Sequence, residues 1–177
     1  TWHEYENYQD LLKDKNELNI SMVLPNENLA ELAKSVTPKV AEWDLDISNI
    51  AASLKKADVA IASSGTVTME CAWFRVPTVV LYRTSWPTYV LGRWFIKIPH
   101  IAMPNVLAGH EVFPEFIQGE ATGKNLARSV ERFLFGKGAQ EKIRAELDKV
   151  AGTLGVKGAA GRVASSVIAQ MEKPMHL

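Results

Sequence analysis

The run Ser63-Ser64-Gly65-Thr66-Val67-Thr68-Met69-Glu70 gathers hydroxyls, a glycine and one carboxylate between apolar flanks. Those groups suit a sugar attached to a phosphate. Gly65 has no Cβ to hold an anion away from the backbone, and Ser63, Ser64, Thr66 and Thr68 add hydroxyl donors. If the run joins a strand to a helix, the first helical amides and the helix dipole favour a phosphate there. Glu70, about one turn further on, is then placed to accept hydrogen bonds from vicinal hydroxyls such as a ribose diol. Together these describe a nucleotide-diphosphate site that needs no metal. The same residue types also cap helices with no ligand involved, and pattern alone leaves the two readings level.

An alternation of short apolar runs and helical spacings must position this motif. Asn19 to Leu24 reads as a strand stopped by Pro25-Asn26, followed by a helix carrying Leu29, Leu32, Ala33 and Val36, with Asn28 and Glu31 as a capping box. A second unit follows, with Lys39 to Asp44 as strand, Ser48 as N-cap and Ile50, Ala51, Leu54 and Ala57 on one helical face. Asp58 to Ser63 is the third strand, and Thr66 to Arg75 is a helix that must stop before Pro77. Thr78 to Tyr82 is apolar without alternation, as expected of a strand covered on both faces. Alternation of this kind implies βαβ units with right-handed crossovers, and so a doubly wound, Rossmann-like α/β fold with a parallel sheet. The strand ending at Ser63 is expected near the centre of that sheet, where such folds bind ligands at the carboxyl ends of their strands.

Past this region we expect a short strand near Ile101 to Met103 and then a helical tail. Its first helix carries Leu126, Val130, Phe133 and Leu134. The second carries Ile143, Leu147, Val150, Ala151 and Leu154, closed by Gly155, and the third runs from Ala160 to Met171. Trp2 to Leu12 reads as an amphipathic helix with no strand before it, as expected of a piece of a longer protein.

Composition narrows the function classes. The 177 residues are 47% apolar, enough for one domain with a core, and 20 basic residues balance 20 acidic ones, so no net field draws the chain to nucleic acid. Cys71 lies in an apolar run, which points to a core thiol in a reducing, cytoplasmic setting. No span-length apolar stretch and no signal-peptide pattern at Thr1 are visible, so the expected protein is soluble or peripheral. The stretch Trp86 to Ile98 mixes aromatic residues with Arg93 and Lys97, which suits a lipid headgroup boundary or a protein contact. With no net positive charge as a second membrane signal, we favour a protein contact, between domains or in a homodimer, over peripheral membrane binding. The adjacent His110 and Glu111 read as solvated surface in preference to an acid–base pair.

Three segments carry a specific resemblance: Ala62 to Ala72, the pair Tyr82-Arg83, and Met103-Pro104-Asn105-Val106-Leu107-Ala108-Gly109. In order and spacing, from about Asp58 to Leu134, they resemble the lipid A disaccharide synthases, inverting and metal-independent GT-B glycosyltransferases. The resemblance implies that the chain is the C-terminal, nucleotide-sugar-binding half of such an enzyme, without its N-terminal acceptor domain. The implied reaction moves 2,3-diacylglucosamine from a UDP-sugar donor to a monosaccharide lipid acceptor, with no cofactor. Ser64, Gly65 and Thr66 would then lie against the pyrophosphate, Glu70 would hold the ribose, and Ser63 and Thr68 would belong to the same nucleotide-binding set. Asn105 matches a family residue important for activity and would be the catalytic residue on the donor side of the cleft, and Arg83 matches a basic position able to meet phosphate or acceptor, although a salt bridge at the strand end explains it equally well. His110 stands where the family commonly has arginine, which would make a phosphate contact there depend on pH, and His100 stands where an aromatic residue is usual. The family's Gly-Ser-Arg phosphate loop and its proposed catalytic carboxylate match nothing here, so the chain alone is not expected to complete the reaction. Two other readings share the fold: a UDP-sugar 2-epimerase-like enzyme and a non-catalytic nucleotide-binding or assembly domain.

Overall fold

A computed structural model describes residues 18–63, 65–87, 89, 99–153 and 158–171. The expected opening helix, Ser64, Gly155 and the part of the aromatic segment from Val90 to Ile98 lie outside the described residues.

Each strand ends where its sequence must turn. β1 (Ser21–Leu24) runs into Pro25, and the Asn26 side chain accepts from the Leu29 amide at 3.0 Å to start α1 (Glu27–Val36). The cap is therefore Asn26, and the expected Asn28 already lies in the first turn. The second strand also departs from its expected place. Pro38–Glu42 winds into a 3₁₀ turn and β2 occupies Asp44–Ile47, because Pro38 has no amide to give a ladder and presets a helical φ. Asn49, not Ser48, is the N-cap residue of α2 (Ile50–Lys56). Ser48 takes a left-handed φ of 61°, and its hydroxyl donates to the Pro25 carbonyl at 2.7 Å.

All strand pairing among the described residues is parallel, and the fold is α/β with open sheets flanked by helices, as the alternation predicts. β1 pairs with β2, while β3 (Ala60–Ser63), β4 (Thr78–Tyr82) and β5 (Glu115–Ile117) form a separate ladder in the order β3-β4-β5. Among the described residues, β4 holds the centre and β3 an outer place, contrary to the expectation that the strand ending at Ser63 is central. Composition explains the exchange. Thr78 to Val80 are fully buried, whereas Ile61 of β3 is exposed and β2 alternates Asp44 and Asp46 with apolar residues, the pattern of a strand covered on one face.

The crossover helix α3 (Thr66–Trp73) ends two residues early, because Arg75 takes a left-handed φ of 58° just ahead of Pro77. Where a strand is expected near Ile101 to Met103, α4 (Met103–Ala108) begins instead, with Pro104 in its first turn. Proline suits that position, since the first helical amides have no partner in any case. Thr122 caps α5 (Gly123–Phe135) by accepting from the Asn125 amide, and α6 (Ala139–Thr153) and α7 (Ala159–Met171) lie where helical spacing predicts.

Helices α3 and α5 pack on β3 and β4, and α6 packs across α3, α4 and α5. The core between them contains Cys71, Val79, Val80, Phe113 and Leu147. Burial pushes the Cys71 thiol above its usual value, opposed by a hydrogen bond with Thr78 and helped by the nearby Glu70 carboxylate. No helix among the described residues is long and apolar enough to cross a membrane.

Leu147 is 0% exposed where α6 meets the core, while Leu32 on α1 is 56% exposed. Leu147→Ala should therefore lower the unfolding free energy by about 2–5 kcal/mol, and Leu32→Ala by no more than about 0.5 kcal/mol. Urea unfolding of both variants checks this, and equal losses would contradict the assignment of the core.

Candidate functional site

Parallel pairing brings three strand ends to one edge. Ser63 closes β3 opposite Leu81, and Tyr82 of β4 pairs with Ile117 of β5, so Gly65, Arg83 and Gln118 all follow on the carboxyl side of the ladder. Ser63, Gly65, Thr66 and Arg83 are exposed there. The N-cap residue of α3 is Gly65 itself, with φ 139° and ψ −162°, a conformation that side chains rarely adopt. Glycine is a common N-cap residue in its own right, but unlike serine or threonine it brings no side-chain acceptor. With glycine there, no N-cap side chain accepts from the first amides of α3, and a Cβ on Gly65 would point into open space.

The other residues of the motif divide between this edge and the interior. Thr68 is fully buried, and its hydroxyl donates to the Gly65 carbonyl at 2.7 Å, so it braces the turn from below. Glu70 is half-buried in the second turn of α3. Arg83 tests the salt-bridge alternative directly: among the described residues no carboxylate pairs with it. The arrangement offers an anion bare helix amides and a guanidinium at neighbouring strand ends, with a carboxylate one turn deeper.

Asn105 lies elsewhere, 0% exposed in α4. Its Oδ1 accepts from the Val112 and Phe113 amides, each at 2.8 Å, and its Nδ2 donates to the Phe113 carbonyl and to Glu115 Oε1, each at 2.7 Å. The side-chain amide thus uses both of its donor hydrogens and both lone pairs on protein groups. Glu115 continues the network from β5. Its carboxylate, 8% exposed, also accepts from the Ile101 and Ala102 amides at 2.8 and 2.9 Å, and His100 Nδ1 stands 4.0 Å away. Three hydrogen bonds to one carboxylate offset the cost of burying it.

His110 follows the left-handed Gly109 that ends α4, and both its ring nitrogens meet protein acceptors. Nδ1 lies 3.0 Å from the Ala108 carbonyl and Nε2 3.4 Å from Glu146 of α6. A hydrogen bond from Lys149 holds Glu146 below the usual carboxylate value, slight desolvation opposes it, and the charges of Lys149 and His110 add to the lowering.

Sequence reasoning misses Glu115 and Gln118. The one available signal is a charged residue and an amide flanking the apolar pair Phe116-Ile117. Gln118 is buried with a left-handed φ of 51°, and its side chain bonds both polar backbone groups of Thr84: Nε2 donates to the carbonyl and Oε1 accepts from the amide, each at 2.9 Å.

Asn105→Leu leaves the Val112 and Phe113 amides and the Phe113 carbonyl without their partner and should cost more than about 3 kcal/mol of stability. Asn105→Asp keeps both amide bonds but turns an acceptor toward the Phe113 carbonyl and Glu115, so its deficit should shrink on acidification, when one carboxyl takes up a proton and can donate. A deficit independent of pH in urea unfolding would contradict this network. For Glu146 the sign is that of a depressed carboxylate: its contribution is present above the unfolded value and is lost as pH falls through the lower folded one. Glu146→Gln should therefore be less stable than wild type at neutral pH and approach it only in that acid window, as melting curves would show.

The family described as lipid-A-disaccharide synthetase matches residues 5–158. Lipid-A-disaccharide synthase of Anaeromyxobacter dehalogenans is 41% identical over 115 residues, covering 65% of this chain and 30% of that protein. The enzyme of that name from Geobacter sulfurreducens is 35% identical over 163 residues, covering 87% of this chain and 41% of that protein. The chain thus spans between 30% and 41% of the length of these relatives. The match takes in the Gly65 turn, Arg83 and the Asn105 network together, and with it the chain belongs to the lipid-A-disaccharide synthetase family.

Proposed function

We propose that this chain is the UDP-sugar-binding portion of a lipid A glycosyltransferase, an inverting and metal-independent enzyme. It passes 2,3-diacylglucosamine from UDP to a monosaccharide lipid acceptor. The observation that carries the reading is the Gly65-led N-terminus of α3 beside the exposed Arg83, which pairs with no carboxylate among the described residues, in a chain of this family. The pyrophosphate lies against the first amides of α3, with the Ser63 and Thr66 hydroxyls and Arg83 around it. Thr68 holds the turn through the Gly65 carbonyl. Glu70 receives the ribose hydroxyls.

In the reaction, the acceptor hydroxyl attacks the anomeric carbon of the donor sugar as the bond to the β-phosphate oxygen breaks. Negative charge then builds on the departing UDP. Preorganised amides and a guanidinium at that oxygen stabilise the charge at little cost in reorganisation. Asn105 and Glu115 serve this edge from within, by fixing α4 and the start of β5. The general base is assigned to no residue of this chain, and the acceptor half of the cleft comes from outside it. Trp86, exposed and edge-on to Tyr89 at 5.8 Å, opens the segment through which this portion meets another protein surface.

The test is the carboxylate. Hydrogen bonds to a charged group contribute about 1.5–3 kcal/mol, so Glu70→Ala should weaken UDP binding by about 10- to 150-fold in calorimetry. UDP should bind wild type more tightly than 2′-deoxy-UDP, and the two should become nearly equal against Glu70→Ala. A folded Glu70→Ala variant with wild-type affinity would leave Glu70 as no more than a favourable charge in the first turns of α3.

A further inference from the structure

We infer that Gln118 is a positioning residue for the nucleotide edge, acting through the backbone of Thr84 to aim Arg83; the inference rests on the UDP-binding reading above. Tyr82 and Ile117 are the last register pair between β4 and β5, and among the described residues no backbone ladder holds the exit of β4 beyond them. The Gln118 side chain takes over there. Its amide donates to the Thr84 carbonyl and accepts from the Thr84 amide, both at 2.9 Å, so a side chain satisfies both backbone groups just past the end of the ladder. Arg83 lies between this clamp and the last ladder rung, so its backbone is held to β5 on both sides while its side chain is exposed.

Two further observations separate this from ordinary loop packing. Gln118 is 8% exposed, so its amide is committed to Thr84 and has little access to solvent. It also sits at φ 51°, a left-handed conformation that glycine or asparagine adopts at lower cost. A residue chosen for backbone ease alone would be one of those two. Glutamine carries the strain at the one place where its longer side chain reaches Thr84, beside the strand end that bears the guanidinium.

Gln118→Gly and Gln118→Asn are the discriminating variants. Both suit a left-handed φ, and both lack the reach for the clamp, so they should remain folded and melt close to wild type. With Arg83 no longer aimed, each should bind UDP about tenfold more weakly, the size of one charge-assisted hydrogen bond. Because the effect runs through Arg83, Gln118→Gly should change nothing further in an Arg83→Ala background. Gln118→Glu keeps the acceptor for the Thr84 amide and loses the donor, and its affinity should fall between. The inference is overturned if the folded glycine variant binds UDP like wild type, or if it loses the same factor with and without Arg83. Wild-type UDP binding and its loss in Glu70→Ala test the nucleotide reading separately, so a failure of that reading shows in those measurements and not only in the Gln118 variants.

Discussion

Every group at the candidate edge depends on one constraint, the sharing of β4 between two parallel neighbours. A parallel ladder sends all its strands out in one direction, so the exits of β3, β4 and β5 must open on the same side. That alone brings Gly65, Arg83 and Gln118 together from positions far apart in sequence. The burial of Thr78, Val79 and Val80 holds β4 in place. Removing that strand from water supplies about 1.5–3 kcal/mol for each large apolar side chain, more than any single polar contact at the edge returns.

A second layer of control is polar and buried. The chain has two successive amides at Ile101 and Ala102 just before α4 and two more at Val112 and Phe113 between α4 and β5, all satisfied by the side chains of Asn105 and Glu115. Neither residue suffices alone: Asn105 can donate to Glu115, while Glu115 can only accept. The pair fixes where β5 begins, hence its register against Val80, Leu81 and Tyr82, and hence how far Gln118 reaches at the other end. Short strands need such help, because three residues of ladder specify register weakly.

Much of this is legible in the sequence, for reasons that differ by element. The third and fourth strands and the three tail helices announce themselves through apolar runs and helical spacing, and the strand-to-helix turn through Gly65 between hydroxyl residues. The second strand is easily misplaced because Lys39-Val40-Ala41 looks extensible, whereas Pro38 commits the segment to a 3₁₀ turn. β5 escapes notice because three residues carry no periodicity. Strand order is misjudged because apolar content says that a strand is buried but not which neighbours bury it. Side-chain duties are the least legible: Thr68 reads as a hydroxyl donor toward a ligand until the turn of α3 points it at the Gly65 carbonyl.

Asn105 shows where a signature residue and a contact residue part company. A motif marks a position at which substitution fails, and contact with substrate is only one way to fail. With 0% exposure and all four hydrogen-bonding sites of its side-chain amide on protein groups, Asn105 could reach a ligand only by unmaking bonds that hold Val112, Phe113 and Glu115. Each group so abandoned would cost about 1–3 kcal/mol, comparable to or larger than the stabilisation that a single hydrogen bond to a ligand would return. The balance favours leaving Asn105 where it is. Any influence of Asn105 on the edge would have to run through β5, the short strand from Glu115 to Ile117 that joins the buried clasp to the Gln118–Thr84 contact next to Arg83.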